Sequence, residues 1–425
     1  MATTVSSLNG LFKEAYGDDV INLVPESVRL VKDIPFVSSD KEEGNSYNQP
    51  VILANEHGVT FAAAEAGAFT LNSAVAMTMK NASVKGAQIL LRSSLSYDAA
   101  AKASNSKKAF VKATELLVEN MLESASKYLE SSILYGDSDT GIGQGTSSVN
   151  DSATQTTVTF TTAYWASGIW SGAEGAKLDA YHTSFGTKIT ANAAFTVDAV
   201  DLDARTVQVS GNATDIAALD TQLGSGTAEF VWFGVGTPSS SNQMAGVDKI
   251  ITNTGTLFGI NAGTYNLWKG NSFSASSAAL TFGKVVEGLS NAVARGLNGK
   301  VMLYVNPITW AGLNDDLAAL RHYDTSYKSA EADVGNAEIE YFSNTGGVIK
   351  VISHNMIKEG EAFAVPEGRC RRLGAQELSF KTPGRNGEMF RELTDSAGFE
   401  LRVYTDQAVF IEKPATAVKY TNIVN

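Results

Sequence analysis

Cysteine is almost missing from this sequence. Cys370 is the only one in 425 residues, so neither an internal disulfide framework nor a structural zinc site built from several thiolates can staple the fold. Long apolar runs are missing too: no stretch of about 18 apolar residues occurs, which argues against a helical membrane span. Met1 to Val20 holds no apolar core of signal-peptide length, because Lys13, Glu14, Asp18 and Asp19 interrupt it. The expectation is a chain made and kept in a cytosol. Positive charge is in short supply, with 33 Lys and Arg against 45 Asp and Glu and a formal net charge of −12. Such a chain repels a polyanion on average, which argues against coating nucleic acid through phosphate contacts.

Catalytic and metal signatures are equally thin. The four histidines, His57, His182, His322 and His354, stand far apart, and none has a His or Cys at three- or four-residue spacing. Nothing local therefore supports a metal. No G-x-S-x-G elbow, H-E-x-x-H helix or Walker A loop is present. Gly141, Gly143 and Gly145 form GIGQG, which mimics part of a dinucleotide fingerprint. These glycines follow a helix and lead into a β-rich stretch, the wrong context for a phosphate loop, so they read as a flexible exit from that helix. Asp137 and Asp139 hint at a calcium loop, but Gly141 and Ser148 stand where further oxygen ligands belong. Asp201 and Asp203 fit a surface hairpin. No cofactor, no metal and no enzymatic activity are expected.

What is present suffices for folding: 44% of the residues are hydrophobic and 18% charged, enough for two to four units with their own cores. The first 36 residues carry scattered apolar anchors, Leu11, Phe12 and Tyr16 among them, while Pro25 and Pro35 break any single long helix. This reads as an arm whose anchors bury against an adjacent subunit or the chain's long helix. Ser46 to Phe61 and Leu71 to Leu91 read as two extended strands of a ribbon with an apolar face at Val51, Leu53, Val75, Met77 and Met79. A two-stranded ribbon cannot bury a face against itself, so its own domain or a neighbouring subunit must cover it. From Lys107 to Leu134 apolar residues recur every three or four positions, and the spacing predicts one long helix.

Residues 141 to 280 hold only five bases and ten acids, against 63 charges in the other 285 positions. This middle is rich in Gly, Ser, Thr and Ala. β-type runs are expected at Thr156–Thr162, Lys188–Val200, Thr206–Ser210 and Ala228–Val235. Most of it reads as an insertion, and a short Gly/Ser linker in place of about Ser147 to Gln243 is expected to leave a folded subunit. From Ala278 the pattern turns α/β: a helix at 282–294, a strand at 301–305, Asn306 capping a helix that starts with Pro307, then strands at 348–353 and 362–365. The last 50 residues are β-rich, at 400–404, 408–411 and 417–423. Arg369, Arg371, Arg372, Lys381, Arg385 and Arg391, interleaved with acids, form either a contact for an acidic partner or a solvated, ion-paired sheet face.

The order of these parts, together with several stretches, resembles tailed-phage major capsid proteins of the Hong Kong 97 fold over nearly the whole length. The stretches are LNGLFKEAYGDD at 8–19, VKGAQILLRSSLS at 84–96, ILYGD at 133–137, MAGVDKIITNTGTLFGINAGTYNLWKG at 244–270, GKVMLYVNPITWAGL at 299–313 and ELRVYTDQAVFIEKPATAVKYTNI at 400–423. The stretch at 84–96 is similar to the return strand of that family's ribbon. The resemblance implies an α+β fold divided into an N-terminal arm (1–36), an extended loop (45–91) and a peripheral domain (92–146 and 369–425) with a spine helix at about 107–134. It further implies an insertion domain (147–243), a return to the peripheral domain (244–277) and an axial domain (278–368).

The implied function is a self-assembling head shell of hexamers and pentamers that encloses double-stranded DNA without sequence-specific binding, located in the virion and assembled in the bacterial cytoplasm. Portal and decoration proteins are implied partners, as is a separate scaffolding protein, since no long charged helical segment precedes Leu8. Other readings are an encapsulin-like cellular compartment, a β-rich surface or adhesin protein prompted by the Ser/Thr-rich middle, and an unknown enzyme.

Overall fold

The computed structural model describes residues 28–38, 46–96, 107–238, 240–320, 339–342, 347–380, 390–393 and 397–425. Leu11, Phe12 and Tyr16 of the arm, and Lys381 and Arg385 of the basic group, lie outside them. A short helix α1 (Leu30–Asp33) and strand β1 (Phe36–Ser38) lead to the ribbon strands β2 (Tyr47–Ala54) and β3 (Thr78–Val84), and then to β4 (Ala87–Ser96). Helix α2 (Lys107–Tyr135) has 29 residues, about 44 Å at 1.5 Å per residue. It forms because Met121, Ala125, Leu129 and Ile133, four apart, present one stripe, and all four are buried.

Next come β5 (Gly143–Ser152), β6 (Gln155–Phe160), β7 (Lys177–His182), β8 (Phe195–Asp201), β9 (Thr206–Ser210), helix α3 (Ala213–Leu223) and β10 (Ala228–Trp232). These six strands close into a barrel in the order β10-β5-β6-β9-β8-β7, which leaves no open edge. GIGQG is not a flexible exit from the helix. Gly143 and Gly145 lie within β5, where a Cβ would stand 2.9 Å from the Phe160 ring and 2.8 Å from Val158. The glycines let the barrel wall approach its own core. The run expected from Lys188 is shorter, beginning at Phe195, and α3, capped by Asn212 accepting the Thr214 N–H, is an addition to the β-rich reading. The 201–203 hairpin is present: Asp201 accepts the backbone N–H groups of Asp203 and Ala204.

Helix α4 (Val247–Thr252), the two-residue strands β11 (Thr256–Leu257) and β12 (Ile260–Asn261), and β13 (Asn271–Ala278) bring the chain to the α/β part. There lie α5 (Phe282–Ala294), β14 (Val301–Val305), α6 (Pro307–Leu320), β15 (Ile339–Phe342), β16 (Val348–Ser353) and β17 (Ala362–Pro366). Asn306 caps α6 as its sequence predicts, accepting the Ile308 N–H at 3.0 Å. β18 (Cys370–Ser379), β19 (Phe390–Glu392), β20 (Gly398–Ile411) and β21 (Val418–Ile423) complete the chain.

A six-stranded sheet runs β13-β21-β17-β14-β16-β15; another, centred on β20, runs β1-β18-β20-β19 with β4 also pairing β20. Two expectations change here. β4 is not the return strand of the ribbon. At Gly86 the chain passes the Asp406 carboxylate, which a Cβ there would push aside, and β4 then pairs along its length with β20, from Ala87 opposite Gln407 to Ser96 opposite Gly398. The terminal strands also part company: β20 belongs to one sheet, whereas β21 joins the α/β sheet between β13 and β17.

One apolar core runs through barrel and body. It holds Phe160, Trp170 and Phe230 from the barrel together with Leu129 of α2, Phe363 of β17 and Phe410 of β20. Trp232 stacks edge-on to Tyr128 of α2 at 4.9 Å, and Arg205 forks onto Glu359 at 3.1 and 3.0 Å. The low-charge middle is therefore joined to the rest by packing, not only by its two ends. A separate core lies between the six-stranded sheet and helices α5 and α6, with Leu289, Leu303, Leu313 and Tyr420 inside.

Candidate assembly surfaces

Opposed residues of an antiparallel pair share a face. Across the ribbon Val51 stands opposite Lys80, and Ile52 opposite Met79. The apolar face read from the sequence is thus split. Val51 and Leu53 turn inward and pack on the chain's own core, near buried Ala82 and Val84, while Val75, Met77 and Met79 are exposed. The cause is strand alternation compounded by a register shift between Ile52 and Ala54. The base of the ribbon is held by the body: the Ser83 N–H donates to the Phe258 carbonyl at 2.9 Å, and the Lys80 ammonium lies 5.2 Å over the Tyr265 ring.

Beyond that base the chain from 55 to 77 keeps a single isolated bridge, His57 to Val75. It displays Phe61 at 92% and Leu71 at 73% exposure, with Val59, Phe69 and outward-facing Ile52 also exposed. Sequence reading missed these five. For Phe61, Phe69 and Leu71 a signal existed: they are set singly in the Ala-rich run 61–74, too small a neighbourhood to bury them.

The basic group divides as well. Arg369 and Arg371 are part-exposed and share Glu412, at 3.9 and 2.7 Å. Arg372 is buried and is not a surface contact. Its guanidinium donates to the Ile34 carbonyl, Gln407 Oε1 and Glu377 Oε1 at 2.9 to 3.0 Å and lies over the Phe36 ring, locking β1 against β18.

Two buried polar clusters hold the surfaces in place. Glu130 of α2, fully buried, accepts the backbone N–H groups of Arg29, Leu30 and Val31 at 3.1, 2.5 and 2.9 Å. The His354 Nε2 lies 2.7 Å away and is the donor, because Nδ1 accepts the Met356 N–H. The other cluster joins Lys419 to Asp248 at 2.5 Å and to Glu361 at 2.8 Å, with Ser138 donating to Asp248. Burial alone would raise the Asp248 carboxyl, but Lys419 and Lys358 beside it hold it below its ordinary range. Burial likewise works against the Lys419 charge, yet Glu361 and Asp248 raise its pKa well above the usual. Lys358 donates to Thr140 Oγ1 and the Gly141 carbonyl; burial outweighs its acidic neighbours and pulls it down to about 8. This is an ionic lock between the end of α2, α4 and the α/β sheet. Among the described residues no group of three or more His, Cys, Asp or Glu side chains could hold a metal ion, and no helix is long and apolar enough to cross a membrane.

No family model and no curated protein matches the sequence. Solved structures do match. A chain of the cyanophage A-1(L) capsid asymmetric unit is 12% identical with a TM-score of 0.56, covering 99% of this chain and 100% of that one. A chain of the capsid of the native GTA particle is 7% identical with a TM-score of 0.51, covering 100% and 99%. Both likenesses run nearly from end to end of either chain, and the chain has the α+β fold of phage capsid proteins, the Hong Kong 97 type.

Proposed function

We propose that this chain is the structural subunit of an icosahedral head shell that encloses phage double-stranded DNA. The observation that carries the reading is the ribbon beyond its base: Phe61, Leu71 and their neighbours stand in solvent on a chain whose fold is that of capsid proteins. Apolar surface of this kind marks an interaction site, and in a shell the neighbouring copy covers it. The base of the ribbon, packed on its own body, aims the tip without hiding it. In this reading 1–36 is the arm, 278–368 the axial domain, and 92–146 with 369–425 the peripheral domain. Hexamers and pentamers of the chain meet scaffolding, portal and decoration proteins, and catalysis has no part. Net acidity keeps enclosed DNA from adhering to the wall. The shell forms in the host cytoplasm and ends in the virion.

Electron microscopy of the expressed chain, alone and with a co-expressed scaffold, tests this. Closed particles are expected, and a chain that stays monomeric under both conditions would refute the reading. Hydrogen exchange refines it. Amides at 47–54 and 78–84 should be protected in free subunits and particles alike, whereas those at 55–77 should gain protection only in particles.

A further inference from the structure

We propose that Lys419 and Asp248 condense into an isopeptide bond within the chain, with Glu361 relaying a proton and Ser138 holding the carbonyl oxygen. The three ionisable groups meet where α4 packs on β21 and the start of β17. The Lys419 Nζ stands 2.5 Å from Asp248 Oδ1 and 2.8 Å from Glu361 Oε1, and all three side chains are buried. The Phe363 ring, 5.7 Å from Nζ, makes one wall of the site apolar.

Two features go beyond an ordinary ion pair. Glu361 Oε2 is buried and makes no hydrogen bond, a costly orphan where the only task is structural; it leaves that carboxylate one oxygen free for a proton. The Asp248 oxygens are divided between different jobs. Oδ1 touches the amine, while Oδ2 accepts the Ser138 hydroxyl at 2.5 Å, as a developing oxyanion requires. A nucleophile held against its carboxyl group reacts as if at an effective concentration of about 10⁵ M or more.

The step balances without oxidant or reductant. One ammonium proton passes to Asp248 Oδ1, Nζ attacks Cγ, and Glu361 takes a second proton from Nζ and returns it to Oδ1. The Cγ–Oδ1 bond then breaks, Oδ1 leaves as water, and Oδ2 becomes the amide carbonyl. Glu361 ends ionised as it began. At rest the pair is ionised: against burial, Lys419 holds the Asp248 carboxyl low, and Glu361 with Asp248 holds the proton on Lys419. The reaction therefore waits on the rare neutral pair and is slow. It is one self-modification, not turnover of a substrate, and it ties β21 to α4 across 171 residues.

The test uses the full-length folded chain, kept for a week at 37 °C and neutral pH and then denatured. Intact mass should show a species lighter by one water, and its tryptic map a branched peptide joining the Asp248 segment to the Lys419 segment. Lys419→Met should keep its full mass. Glu361→Gln, with unchanged circular dichroism, should form the branch about 100-fold more slowly, as loss of a general acid–base group predicts. A native chain that retains its full mass would overturn the bond, whatever the variants do. So would a water loss that maps to a cyclic imide inside one peptide or to a branch at Lys358. Equal rates in Glu361→Gln would overturn the relay.

Discussion

At Glu130 one carboxylate holds the arm base, the long helix and the loop after β16 together. Replacing it by Ala leaves three backbone N–H groups and the His354 Nε2 without their acceptor in a buried place. Each orphaned donor costs about 1–3 kcal/mol, tempered where water enters. Glu130→Ala should therefore lower unfolding free energy by roughly 3–5 kcal/mol in urea titrations, with Glu130→Gln, which keeps one acceptor, losing less. Asp137 offers a pH-dependent counterpart. Burial pushes its carboxyl up to about 6, against the pull of Lys249, so between pH 4 and 6 the folded chain holds a proton that the unfolded chain has released. The stability this confers is present at acid pH and is lost as pH rises through about 6. Asp137→Asn removes the charge and suits the positive φ of 55° there. It should raise the melting temperature at pH 7.5 and leave it unchanged at pH 3.5; the opposite pH order would contradict the sign. Neither Glu130's role nor that of Arg372 is legible in sequence, because the partners of Glu130 lie 99 to 224 residues away and two of the three partners of Arg372 lie 35 and 338 away.

Among the elements, the long helix and the strand–cap–helix run at 301–320 were legible because apolar periodicity and a capping Asn-Pro are local signals. β5, reading GQGTSSVNDS, and β7, reading KLDAYH, carry no apolar alternation. They are strands because barrel closure supplies their partners, and Gly143 and Gly145 are there to let Phe160 and Val158 in. The ribbon's face was misjudged for a related reason: one register shift exchanges inside for outside. Charge contrast also suggested that the middle could be removed, but the shared core says otherwise. Replacing Ser147 to Gln243 by a linker would delete Phe160, Trp165, Trp170 and Trp232, and Tyr128 and Leu129 of α2 would lose the aromatic wall that they pack on. The expected outcome is an aggregating or molten chain with shallow, non-cooperative thermal unfolding by circular dichroism. A soluble subunit that retains the helical signal of the remaining chain and a sharp transition would show that the body folds without the barrel's share of the core.

For the whole molecule, two opposing surface properties set when copies join. A net charge of −12 makes subunits repel, and salt screens that repulsion. The exposed apolar residues of the ribbon favour association, each large side chain contributing about 1.5–3 kcal/mol when fully covered. Repeated over every copy in the shell proposed above, even a partial contribution outweighs the ordering cost that a lone pair of subunits could not meet. These residues make no contribution to the subunit's own core, so folding and assembly can be separated by mutation. Phe61→Ser with Leu71→Ser should leave the unfolding free energy of the free subunit within about 0.5 kcal/mol of the native chain, as befits exposed positions. Particle yield by sedimentation should fall at least tenfold at every salt concentration, while the native chain assembles better as salt rises. Equal yields would show that the tip is not covered by a neighbour, and a large fall in subunit stability would mean that it packs on its own body in solution.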